Sequence, residues 1–146
     1  MKNFIASCCL AFCMLFGSVA HAKTEIGAVL SMPEIFGVYL SYYPVDPIAL
    51  DTWLTLSTVD FGPTFFLPFA EIGGTHSLVL TGLVGYSHNL VPALPYKSFH
   101  SIIAAGYAWQ SVGGWDFRIQ AGTTLAKLPD RMLAGFHGHL QVGHTF

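Results

Sequence analysis

From Trp115 to Phe146 the chain changes character at every residue. Trp115, Phe117, Ile119 and Ala121 fall on one side of the alternation, and Asp116, Arg118, Gln120, Gly122 and Thr124 on the other. The end of the chain repeats the pattern. Phe146, His144, Val142, Leu140, Gly138 and Phe136 share one side, and Thr145, Gly143, Gln141, His139 and His137 the other. Side chains of a strand point alternately to its two faces, so a period of two is a strand signature. A soluble sheet with one apolar face turns that face inward and clothes the other in Lys and Glu. Here only 10% of residues are charged, against about 25% in ordinary soluble proteins. After residue 22 no apolar run approaches the ~18 residues of a membrane helix. The best candidates, 78–86 and 102–109, are short and rich in Gly and β-formers. Strands of about 9–11 residues would cross a bilayer instead.

Alternation and turn residues together divide the chain into eight segments: 24–30, 36–43, 51–61, 65–72, 77–87, 99–110, 115–125 and 133–146. The breaks carry turn chemistry at Ser31-Met32-Pro33, Pro44-Val45-Asp46-Pro47, Gly62-Pro63, Gly73-Gly74, 89–97 with two prolines, Gly113-Gly114 and 127–131. An open strand edge in lipid leaves backbone groups unpaired at several kcal/mol each, so the strands must close. The expected fold is therefore all-β: an antiparallel up-and-down transmembrane β-barrel of about eight strands.

With both termini on the periplasmic side, the loops after segments one, three, five and seven face outward, including 89–97 and 127–131. The tight Gly73-Gly74 and Gly113-Gly114 turns face inward, which is the usual asymmetry; residues 44–50 make an exception. Tyr42, Tyr43, Phe61, Phe65, Phe66, Tyr107, Trp109 and Trp115 lie near segment ends and are assigned to interfacial girdles. Pro68 removes a ladder donor and marks a bulge or a strand end.

The other end of the chain has a different logic. Lys2, an apolar run over 4–16, and Ala20-His21-Ala22 have the layout of a secretory signal peptide. Cleavage is expected after Ala22, giving a signal peptide over 1–22 and a barrel over 23–146. Cys8, Cys9 and Cys13 all lie in this leader, so disulfides and thiolate metal sites are excluded from the remainder. Ile5-Ala6-Ser7-Cys8 imitates a lipoprotein box, but it precedes the hydrophobic run it should follow. Beyond the leader, five basic residues (Lys23, Lys97, Arg118, Lys127 and Arg131) stand against eight acids. No basic stripe exists, so nucleic acid is not an expected partner.

The Ala20-His21-Ala22 site, the Cys-free remainder, the alternating strands and the terminal aromatic resemble the small eight-stranded bacterial outer-membrane β-barrel proteins. The resemblance spans essentially all of 23–146. It implies an outer-membrane location, membrane lipids as surroundings, and contact with the barrel-assembly machinery during insertion. In those families the C-terminal aromatic with apolar residues at alternate positions serves as the assembly signal. Phe146, Val142, Leu140 and Phe136 match it, while His144 departs from it. No single family matches, so no active site carries over.

Candidate chemistry centres on the polar faces of the last two segments. His137 and His139 share a face with Gln141, and Asp116, Arg118 and Gln120 lie on the neighbouring segment. These six form either a small metal or acid–base site or a self-satisfied polar plug. The plug is favoured, because an eight-stranded barrel is just wide enough for its own side chains. Zinc lacks a clear third ligand, so no metal and no cofactor are expected. Ser87-His88 and His100-Ser101 are the possible hydrolase pairs, but neighbours in a strand point to opposite faces. The His-x-Ser arrangement of lipid A deacylase barrels is absent. The loop 89–97 is unusually apolar for a surface loop. It touches lipid or a partner, or it folds over the barrel mouth. The expectation is an integral outer-membrane barrel with a structural, envelope-integrity or interaction role, neither pore nor enzyme. The alternatives are a lipid-modifying enzyme of the lipid A acyl hydrolase kind and a secreted soluble barrel binding a small apolar ligand.

Overall fold

A computed structural model describes residues 23–32, 35–87, 98–127 and 131–146. They form eight strands: β1 (Lys23–Met32), β2 (Ile35–Val45), β3 (Ile48–Thr55), β4 (Thr58–Glu71), β5 (Gly74–Ser87), β6 (Ser98–Ser111), β7 (Trp115–Lys127) and β8 (Met132–Thr145). Each strand pairs antiparallel with the next, and β8 pairs with β1, closing an up-and-down barrel. Closure extends to the chain end. Phe146 N–H donates to the Thr24 carbonyl at 2.8 Å, and Thr24 N–H returns a 3.4 Å bond to the Phe146 carbonyl. The leader, with Ala20 and Ala22, lies outside the described residues, as do His88 and the loop 89–97.

The late strands follow the alternation closely. Asp116, Arg118 and Gln120 on β7 are buried, whereas Trp115, Ile119 and Ala121 at the alternate positions are exposed. On β8, His137, His139 and Gln141 are buried, and Phe136 and Val142 are exposed. The polar side of the pattern is thus the inner face of the barrel.

The middle of the chain departs from the expectation in three ways. Gly62-Pro63 is not a turn but lies inside β4. Two effects make a breaker pair tolerable there. A side chain on Gly62 would collide with the β5 backbone at Gly82, so the close approach demands glycine. The β4–β5 pairing also skips from Phe61↔Val84 to Thr64↔Thr81, so the donor that proline lacks falls in a gap of the ladder. The true reversal is Leu56-Ser57. There Thr55 Oγ1 accepts from the backbone N–H groups of Ser57 at 3.2 Å and Thr58 at 2.9 Å. Threonine and serine hydroxyls build such turns without Gly or Pro. Secondly, the long inward connection expected over 44–50 contracts to Asp46-Pro47, because β2 and β3 extend across a register shift between Tyr42 and Val45. Thirdly, Tyr43 and Phe66 are not girdle residues. Both face inward, with ring centroids 5.8 Å apart, because they share parity with the buried Ser41 and Thr64. Pro68 does mark a bulge, since the β4–β5 register shifts between Pro68 and Ala70.

Two apolar clusters fill the interior. One joins Val29, Tyr39, Trp53, Leu83, Ile102 and Ala104; the other joins Tyr43, Ala49, Phe66, Val79 and Ala108. The polar groups described next are threaded among them.

Candidate functional site

Arg118 is the hub of the interior. It is fully buried on β7, and its guanidinium reaches three carboxylates on three strands. Nε donates to Asp116 Oδ1 at 2.7 Å, one terminal nitrogen to Glu25 Oε2 at 2.6 Å, and the other to Asp51 Oδ2 at 3.3 Å. The Glu25-bound nitrogen also donates to the Tyr43 hydroxyl at 2.6 Å, and that hydroxyl in turn donates to Glu25 Oε2 at 2.5 Å. Tyr39 donates to the other oxygen of Glu25. Thr64 donates to Asp51 at 2.6 Å and pairs with Thr81 at 2.8 Å. The guanidinium carbon also lies 4.9 Å from the Phe66 ring centre and 5.5 Å from that of Tyr39. Such a set is tolerable only because the charges are paired and most of their oxygens are hydrogen-bonded. Glycines make room for it: a methyl group on Gly143 would meet Tyr39 Oη and Glu25 Oε1.

A second polar group lies nearer the loop end. His100 Nε2 is 2.6 Å from Asp60 Oδ1, and Thr58 Oγ1 donates to Asp60 Oδ2 at 2.5 Å. Both members of the His–Asp pair are buried, and they rest on Gly85, where a methyl group would strike them. The third group is His137 and His139, whose Nε2 and Nδ1 atoms are 3.2 Å apart. Trp53 stacks on His137 with centroids 6.0 Å apart and meets His139 edge-on at 4.4 Å.

The six expected lumen residues are all buried on the inner face, but they do not form one site. Asp116 and Arg118 join the carboxylate hub, whereas His137 and His139 join Trp53. The side-chain amides of Gln120 and Gln141 have no hydrogen-bond partner among the described residues. Glu25, Asp51, Tyr39 and Asp60 escaped the sequence reasoning, whereas Tyr43 was assigned to a girdle and His100 to a hydrolase pair. The available signal was parity: a buried arginine needs acids, and Glu25, Asp51 and Asp60 sit at inward positions of their strands.

The hydrolase pairs do not assemble here. Ser101 faces outward while His100 faces inward, and Ser87 Oγ lies 3.1 Å from Ser98 Oγ. His88 is outside the described residues. Among the described residues no group of three His, Cys, Asp or Glu side chains is placed to hold a metal ion.

The C-terminal set Phe136, Leu140, Val142 and Phe146 lies on the outer face. His144 joins it by an edge-on contact with Trp115 at 5.3 Å and a tilted one with Phe146 at 4.9 Å. The chain matches no protein-family model, and no curated protein or solved structure shows significant similarity to it.

Proposed function

We propose that this chain is an integral outer-membrane barrel with a structural, envelope-integrity or interaction role, and neither a pore nor an enzyme. One observation carries the reading: the barrel is inside out relative to a soluble one. Every strand exposes apolar side chains, from Ile26 at 54% on β1 and Leu54 at 54% on β3 to Phe136 at 68% on β8. Meanwhile Arg118, Glu25, Asp51, Asp60 and Asp116 are buried. Exposed apolar surface on this scale suits a hydrocarbon solvent, where closure satisfies the backbone. The filled interior argues against a channel, as the small strand number does. It also argues against a soluble barrel holding an apolar ligand. In this reading the leader is removed after Ala22, and the alternating C-terminal set ending at Phe146 is read by the assembly machinery.

The test is cell fractionation followed by gel electrophoresis of boiled and unboiled detergent extract. Recovery in the outer membrane with a heat-dependent mobility shift is expected. A soluble periplasmic protein without a shift would overturn the reading. A lipid A mass spectrum that changes on deleting the gene, and reverts with wild type but not with His100→Ala, would restore the enzymatic alternative.

A further inference from the structure

The outer wall of the barrel is not uniform. At its loop end a groove of about 600 Å³ runs across β4 to β8, lined by Val84, Tyr86, Phe99, Ser101, Leu125 and Lys127 among others. Tyr86 and Phe99 meet edge-on at 5.2 Å and form one wall. Lys127 closes the top, and Arg131 immediately precedes Met132, the cross-strand partner of Lys127. Both cations are exposed, and neither has a carboxylate partner among the described residues. At the opposite rim the charges are mixed: Lys23 pairs with Asp46 at 3.8 Å, and Glu71 is exposed nearby. Among the described residues, unpaired positive charge is therefore concentrated on one rim, directly over an apolar groove.

At mid-barrel the same face continues into a broader, shallower depression of about 1040 Å³, lined by Ala105, Ala121, Gly138 and Phe136. Lys127 and Ala121 are six residues apart on β7, roughly 20 Å along a strand. At a tilt of ~45° this is about 14 Å of depth, close to half of a ~30 Å hydrocarbon core. The distance from cation to depression is thus one leaflet.

We infer that this face binds an acylated lipid whose phosphate headgroup carries net negative charge. The phosphate sits on Lys127 and Arg131, and an acyl chain lies along β7 from the Phe99 wall to the depression at Ala121. The inference rests on the lipid-facing reading of the exterior and adds one selected molecule to it. Charge complementarity at the rim chooses the occupant, since a zwitterionic lipid gains little from two unpaired cations.

The experiment uses the full barrel inserted into phosphatidylcholine vesicles doped with phosphatidylglycerol, then released for native mass spectrometry. Retention of one phosphatidylglycerol per barrel, in preference to phosphatidylcholine, is expected. Lys127→Gln and Arg131→Gln should each weaken that preference about fivefold. Ala121→Leu should weaken retention of both lipids, and Lys23→Gln on the opposite rim should change neither. Equal retention of the two lipids, or a preference indifferent to Lys127→Gln and Arg131→Gln, overturns the inference. So does a dimer that excludes lipid and is broken by Ala121→Leu, because the groove then seats a second copy. Failure of the wild-type barrel to insert, read from its mobility in unboiled gels, overturns the membrane reading together with the inference. Insertion without selective retention overturns the inference alone.

Discussion

Arg118 is fully buried, and the guanidinium is held by Glu25, Asp51, Asp116 and Tyr43 together. Removing it leaves three carboxylates facing one another in a closed interior. Arg118→Met is expected to cost about 3–5 kcal/mol, the range for breaking a buried ion pair by deleting one side. Urea unfolding of the detergent-solubilised barrel measures it. The three acids should not respond alike. Asp51 is the most distant, at 3.3 Å, and its Oδ1 has no partner. Asp51→Asn should therefore be milder than Glu25→Gln, because Glu25 accepts from Arg118, Tyr39 and Tyr43. Glycines give a sharper contrast. Gly85→Ala drives a methyl group into the Asp60–His100 pair, whereas a methyl on Gly82 meets nothing within 4 Å. Gly85→Ala should lower the midpoint by an amount worth about 1–3 kcal/mol, and Gly82→Ala should stay within about 0.5 kcal/mol.

At the scale of strands and turns, legibility depended on whether the alternation was interrupted. β7 from Trp115 to Ala121 and β8 from Phe136 to Gly143 alternate without a break, and both faces were readable there. β3 and β4 were misdivided because Gly62-Pro63 carries stronger turn chemistry than Leu56-Ser57. Only the approach of β5 at Gly82, a contact between strands, explains the glycine. An insertion experiment separates the two sites. Two residues added between Leu56 and Ser57 lengthen a turn and should preserve the heat-modifiable form. The same insertion between Gly62 and Pro63 shifts the outer half of β4 against both neighbours and should abolish it. A gel of boiled and unboiled samples decides. The candidate site was half legible for a related reason. Parity shows which residues face inward, but contact between Arg118 on β7 and Glu25 on β1 requires the stagger with which the sheet closes. That stagger is a property of the whole barrel. The Tyr43 and Phe66 error has the same origin, since position near a strand end was weighed above parity.

At the scale of the whole molecule, the described residues place apolar side chains outside, paired charges inside and unpaired cations at one rim. An outward charge at mid-height should therefore be costly in a bilayer. Leu40→Arg on β2 is expected to cost about 2–4 kcal/mol, the midplane range for outer-membrane barrels, when unfolding is measured from vesicles. On a water-exposed surface the same substitution would be nearly silent. The most direct measurement uses the tryptophans already present. Trp115 is 57% exposed on the outer face, and Trp53 is fully buried inside. Variants retaining only one of them are reconstituted in vesicles whose acyl chains carry bromine, a short-range quencher. The account predicts strong quenching of Trp115 and little of Trp53. Equal quenching of both, or quenching of Trp53 alone, would contradict it.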